Sequence, residues 1–176
     1  MMGAWILCVA FLMAQPAQVK GSNPADWEGW KFLLGEWVGE GSGQPGQGSG
    51  GFSFVRDLQG KVLVRKNHAD YPATKERPAF SHDDLLVIYH EAGAPAARAI
   101  YFDNEGHVIH YDASFSEDGT TWVFLSDAAP SAPRYRLTYT KEKDGMLGIK
   151  FEIAPPGKPN AFSTYIEARA RREEGK

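Results

Sequence analysis

From Glu36 onward, apolar and polar residues alternate with a period of two, in short runs broken by turn residues. That period places alternate side chains on opposite faces of an extended chain. The pattern predicts strands at Glu36–Gly41, Gly51–Asp57, Lys61–Ala69, Asp84–Glu91, Ala97–Asp103, His107–Ser116, Thr121–Ser126, Arg134–Lys141, Met146–Ile153 and Ala161–Arg171. These runs are rich in Val, Ile, Tyr, Phe, Trp and Thr, which suit a pleated, half-buried surface. Ahead of them, DWEGWKFLLGEW carries apolar residues at helical spacing. A short helix or turn from Trp27 to Leu34 that packs an aromatic plug follows.

The breaks between runs are hairpin turns. Gln59-Gly60, Asn104-Glu105-Gly106, Asp118-Gly119 and Asp144-Gly145 each separate two apolar runs, and Gly, Asn and Asp supply the positive φ angles of tight antiparallel connections. Longer breaks fall at Tyr71–Ser81, Ala128–Pro133 and Pro155–Asn160. No helical period separates the strands, so a parallel βαβ fold is not expected. A meander of about ten strands leaves two exposed edges unless it closes into a barrel. A two-sheet sandwich is the alternative.

Before the strands, Ala4 to Ala14 reads AWILCVAFLMA. Eleven apolar residues are too few for a membrane-spanning helix, which needs about 20. The run fits the apolar core of a secretory signal peptide, with Ala14 or Ala17 ahead of a cleavage point, although Met1 to Gly3 lacks the usual basic residue. A buried N-terminal helix is the competing reading. The expected division is a leader at 1–17, a linker at 18–26, one barrel domain at 27–172 and a polar tail at 173–176. The expected location is the periplasm or the cell exterior.

Composition narrows the function classes. Lys plus Arg number 19 and Asp plus Glu 22, a net charge of −3 with no basic face in the pattern, which argues against nucleic-acid binding. The single cysteine, Cys8, lies in the apolar leader, so neither a disulfide framework nor a Cys-based zinc site is available. The 12% aromatic content is the main reason to expect a lined cavity, with ordinary core packing as the competing reading.

Gly35-Glu36-Trp37, opening the first strand after an aromatic segment, resembles the Gly-x-Trp signature of lipocalin and calycin barrels. In those families the Trp closes the barrel floor and an Arg from the last strand packs over it. The resemblance implies that role for Trp37 with Arg169 or Arg171 of YIEARARR. The stretch Leu33 to Gly41 is also similar to the opening of nitrobindin haem barrels. YFDNEGHVIHY, RYRLTY and FEIAPPG resemble an uncharacterised, often secreted, bacterial lipocalin-like family. The implied fold is an all-β, roughly ten-stranded antiparallel barrel over Trp27 to Arg171. Nitrobindins ligate haem through a late histidine, whereas the last histidine here is His110, so haem is a minority possibility and no cofactor is expected.

No complete catalytic motif is present. His107 and His110 have His-x-x-His spacing, but three residues apart on a strand they face opposite ways. His110 and Asp112 share a face and could form a proton-shuttling pair or an ordinary surface pair. Ser81, His82 and Asp83 are consecutive, which seldom lets a triad converge; Asp83-Asp84 reads as a polar strand entry, with a turn cap or a loose cation site as the alternative. The Gly41–Gly51 loop lacks the Gly-Lys-Ser/Thr ending of a phosphate loop and reads as a flexible connection at the barrel mouth. Arg65 and Asn67 share one face of their strand. Arg134, Arg136 and Thr138 share one face of theirs, opposite Tyr135, Leu137 and Tyr139; which face lines the lumen is left open.

The expected activity is binding of a small, apolar or amphipathic ligand, with Asn67, Tyr89, Tyr101, His110, Tyr111, Trp122, Arg136 and Phe151 as lining candidates. The alternative is a lumen enzyme, an isomerase, cyclase or lyase, with His110 as base and Arg136 or Tyr101 stabilising an anion. That version requires these groups to converge in one cavity.

Overall fold

The computed structural model describes residues 27–41, 48–94 and 96–173. The expected leader and linker, most of the glycine-rich loop and the end of the tail lie outside the described residues. A 3-10 helix, Glu28–Leu33, precedes ten strands: β1 Gly35–Gly39, β2 Ser49–Asp57, β3 Val62–Tyr71, β4 Phe80–His90, β5 Ala97–Asp103, β6 Val108–Phe115, β7 Thr121–Ser126, β8 Arg134–Lys141, β9 Leu147–Ala154 and β10 Ser163–Arg172. A single 3-10 turn, Leu58–Gly60, links β2 to β3.

Each strand pairs antiparallel with the next, and β1 also pairs with β10, so the meander closes into a barrel rather than splitting into a sandwich. Trp37 makes the closure visible: it lies opposite Phe52 of β2 on one side and Arg172 of β10 on the other. Tight turns hold the sequence-adjacent pairs. At Asp144-Gly145, Gly145 adopts φ 82°, and the Asp144 carboxylate accepts from the Met146 amide at 3.1 Å.

The alternation sorts every strand into an inner and an outer face. Trp37, Phe52, Phe54, Leu63, Leu86, Ile88, Ala99, Tyr111, Trp122, Phe124, Tyr139 and Leu147 point inward and are buried. They fill the end of the barrel nearest the 3-10 helix, with Trp30 and Leu33 of that helix as the plug. Three indoles anchor it, each donating at 2.8 Å to a backbone carbonyl: Trp27 to Gly60, Trp37 to Leu33 and Trp122 to Gly29. Such bonds satisfy the polar edge of an otherwise apolar ring. Phe32 stacks on Trp122, with ring centroids 5.8 Å apart and planes 7° apart.

The Arg over Trp37 is neither Arg169 nor Arg171 but Arg172, whose guanidinium lies 4.4 Å from the Trp37 ring centroid. Strand parity decides this. Arg172 is the register partner of Trp37 and shares its inward side, whereas Arg171 opposes the outward Val38. Arg169 also points out and binds Glu142 and Asp144 at 2.5 and 2.6 Å.

Most strand ends lie within two residues of the expected bounds; the largest difference is at β4, which begins at Phe80 rather than Asp84. The polar run Ser81–Asp84 belongs to the strand, with Ser81 and Asp83 outside and His82 and Asp84 inside.

Candidate functional site

Above the aromatic floor the inner wall changes character. On β3, β4 and β5 the inward positions carry polar groups, and they touch. Arg65 and Asp84 form an ion pair through Arg65 Nη1 and Asp84 Oδ1, with side chains only 9% and 4% exposed. Asn67 Nδ2 donates to Asp84 Oδ2 at 3.0 Å. His82 Nε2 lies 3.0 Å from the Tyr101 hydroxyl and 3.4 Å from Asp84 Oδ2, while His82 Nδ1 lies 3.1 Å from Glu105 at the rim. Three side chains thus converge on one carboxylate and one phenol, and the five groups come from three adjacent strands.

The local sequence explains the convergence. Leu86 and Ile88 fix which face of β4 is apolar, and the period of two carries His82 and Asp84 onto the same face. The register then sets Asn67 opposite Asp84 and Tyr101 opposite Leu86, one step along from Asp84.

Electrostatics follow the contacts. The hydrogen bond to Asp84, with a further contribution from Glu105, raises the His82 imidazole from 6.5 to about 9 against the opposing effect of burial. His82 is therefore protonated at neutral pH. Burial raises the Tyr101 and Tyr111 phenols well above their ordinary value, and Tyr139 to about 12, so all three are neutral donors.

The wall opposite, on β8, β9 and β10, is apolar. Tyr135 and Phe151 stack with centroids 5.9 Å apart and planes 7° apart. Beside them Ile149 and Phe151 are only partly buried, and Ile166 is 39% exposed. Inward-facing side chains of a filled barrel are shielded from water, as the floor residues are. In the upper half the shielding is uneven: Arg65 and Asp84 on the polar wall are nearly covered, whereas Ile149, Phe151 and Ile166 on the apolar wall retain access to solvent. Two further depressions are wide open: one of about 460 Å³ at the rim beside Tyr71 and Phe80, and one of about 740 Å³ along the outside of β1 to β4 past Glu36, Val38, Lys66 and Leu85.

The sequence-predicted residues divide by face. Asn67, Tyr101, Tyr111 and Phe151 point into the lumen, and Trp122 does so within the floor. Tyr89, His110 and Arg136 point outward and cannot line it. Tyr89 flanks the inward Ile88. His110 flanks the inward Tyr111 and is exposed. Arg136 binds Glu152 across the outer surface at 2.6 Å and stacks over Phe162. An acid–base set of His110 with Arg136 or Tyr101 is therefore scattered over both faces and does not form.

Arg65, His82 and Asp84 are the functional candidates missed. The sequence pattern marks Arg65 only as a face-mate of Asn67, offers His82 only within the Ser81-His82-Asp83 run, and presents Asp84 with Asp83 as a strand entry. The alternation Phe80, His82, Asp84, Leu86, Ile88 held the signal, obscured by four consecutive polar residues. Among the described residues no group of three or more His, Cys, Asp or Glu side chains is placed to hold a metal ion. Among them, too, no helix is long and apolar enough to cross a membrane.

Fold and site together define a closed, ten-stranded antiparallel β-barrel consistent with lipocalin-like architecture, with an amphipathic upper lumen. No protein-family model matches the chain, and no curated protein matches it.

Proposed function

We propose that this chain is a lipocalin-like binding protein that holds a small, largely apolar or amphipathic molecule in the upper half of its lumen. The observation that carries the reading is the asymmetry of that lumen: a polar wall of Arg65, Asn67, His82, Asp84 and Tyr101 faces an apolar wall of Tyr135, Ile149, Phe151 and Ile166. Binding pockets combine a mostly apolar lining with a few polar groups that orient the ligand. The Gly35-x-Trp37 opening and the Arg172 clamp support kinship with secreted bacterial lipocalin-like barrels. The apolar run Ala4–Ala14 supports export to the periplasm or beyond. No cofactor enters this reading.

Native mass spectrometry of protein freshly purified from its host tests it. A bound small-molecule mass, or a shift with a panel of lipids, is the expected result. Protein that carries no extra mass and takes up nothing from the panel overturns the proposal. A flat Soret region after incubation with haem separates it from a haem carrier.

One observation favours a second reading, an enzyme in the same lumen: His82 and Tyr101, 3.0 Å apart, are within proton-transfer distance of each other. A substrate whose turnover collapses in His82→Gln while its binding persists would establish that reading.

A further inference from the structure

A hydrogen-bond inventory of the lumen site shows donors in excess. Both oxygens of Asp84 are engaged, one by Arg65 and the other by Asn67 and His82. Arg65 Nε and the Tyr139 hydroxyl are fully buried and have no partner among the described residues. The Tyr101 oxygen accepts from protonated His82, which leaves its own hydrogen free to donate. Against these three donors stand two side-chain acceptors, the Asn67 amide oxygen and the Tyr139 phenol oxygen, so donors remain in excess.

The unpartnered donors lie together. Arg65 is on β3 and Tyr139 on β8, strands that are not neighbours in the barrel, so their side chains approach across the lumen. Both rest on the same ring: the Arg65 guanidinium is 5.0 Å from the Phe52 centroid, and the Tyr139 ring is 6.0 Å from it. They are close enough that each perturbs the other's ionisation. Leaving a buried polar group unpaired is costly, and two such donors facing each other over the Phe52 ring suit a place built for an acceptor.

We infer that the ligand presents an oxygen acceptor to this point, a carbonyl or a carboxylate, received by Tyr139 Oη, Arg65 Nε and Tyr101 Oη, with its apolar body along β8–β10. The inference rests on the lumen-binding reading and adds the head group. Amines are disfavoured, because a cationic donor would meet Arg65 and protonated His82 while both Asp84 oxygens are already engaged.

Isothermal titration calorimetry with a chain-length-matched carboxylic acid, methyl ketone and primary amine tests it, on the wild type and on Tyr139→Phe. The acid or the ketone should bind at least about tenfold tighter than the amine, a difference of about 1.4 kcal/mol. A tighter acid assigns a carboxylate and a tighter ketone a neutral carbonyl, and either result upholds the inference. In Tyr139→Phe that preference should shrink about tenfold while the melting temperature does not fall, since an unpaired hydroxyl adds nothing to stability in the free protein. Equal binding of all three probes overturns the head-group inference alone. So does an unchanged preference in Tyr139→Phe, which would assign the two donors to internal water. Failure of every probe to bind overturns the lumen reading with it.

Discussion

Arg172 lies over Trp37 at 4.4 Å and binds the end of the 3-10 helix at the same time, through the carbonyls of Leu34 and, at 2.5 Å, of Phe32. One side chain thus joins the last strand, the first strand and the floor plug. Arg172→Leu should lower unfolding stability by about 1–2 kcal/mol, the sum of a cation–π contact and hydrogen bonds to carbonyls. Arg171→Leu, one residue away on the outer face, should change it by less than about 0.5 kcal/mol. Urea denaturation of the two variants checks the contrast.

The glycine of Gly-x-Trp has a physical reason in the same clamp. Gly35 sits at φ 118°, and a Cβ there would stand 2.6 Å from Arg172 Nη1. Gly35→Ala should therefore cost about 1–3 kcal/mol for the backbone conformation, and more as Arg172 is displaced. A double variant Gly35→Ala/Arg172→Leu destabilised by less than the sum of the two single variants would show that both substitutions break one contact.

Much of this architecture was legible beforehand because the period of two is a geometric consequence of the strand. β5, β7 and β8 have the predicted boundaries. Closure was foreseen from the problem of exposed edges, and Trp37 from its motif. Faces were harder. Arg172 was missed because YIEARARR offers three candidates, and only the register to Trp37 selects one. Tyr89, His110 and Arg136 were chosen for their chemistry, yet parity with Ile88, Tyr111 and Leu137 puts them outside. His82 and Asp84 were passed over because charge reads as solvent exposure. Burying a carboxylate requires a partner, here Arg65 on another strand, and that partnership is visible only in three dimensions.

The Arg65–Asp84 pair should behave as a buried ion pair. Asp84→Asn leaves the guanidinium buried without its counter-charge and should destabilise the barrel by about 3–5 kcal/mol. The combined Arg65→Met/Asp84→Leu should recover most of that loss, since apolar replacement of a whole buried pair is often neutral. Thermal melts of the single and double variants decide it. A double variant no more stable than Asp84→Asn would mean that the pair is indispensable to the packing around it.

The outward residues give the matching control. His110→Ala should leave both stability and ligand uptake unchanged, within about 0.5 kcal/mol, because His110 is exposed on β6. Tyr101→Phe, on the inner face of the neighbouring strand, should weaken binding of any ligand that Tyr101 contacts. Paired titrations of the two variants against one ligand separate lumen from surface.

The protonation of His82 should be readable as a pH dependence of stability. Its partners are Asp84, Glu105 and the Tyr101 hydroxyl, and its folded-state value lies near 9 against 6.5 for an unperturbed imidazole. A group whose value is raised on folding stabilises the native state while it is protonated in both states. That contribution is complete below pH 6.5 and is lost as the pH rises through about 9. The wild type should therefore lose stability across this window relative to His82→Gln, which cannot titrate. His68, raised by Asp83 and then Asp70 on the outer face, acts in the same direction in both proteins and cancels in the comparison. Urea midpoints at a series of pH values measure the difference, and an imidazole NMR titration of His82 locates its cause. If wild type and His82→Gln stay parallel from pH 6 to 10, His82 is not held as a cation by Asp84, and the Tyr101 oxygen does not receive its proton.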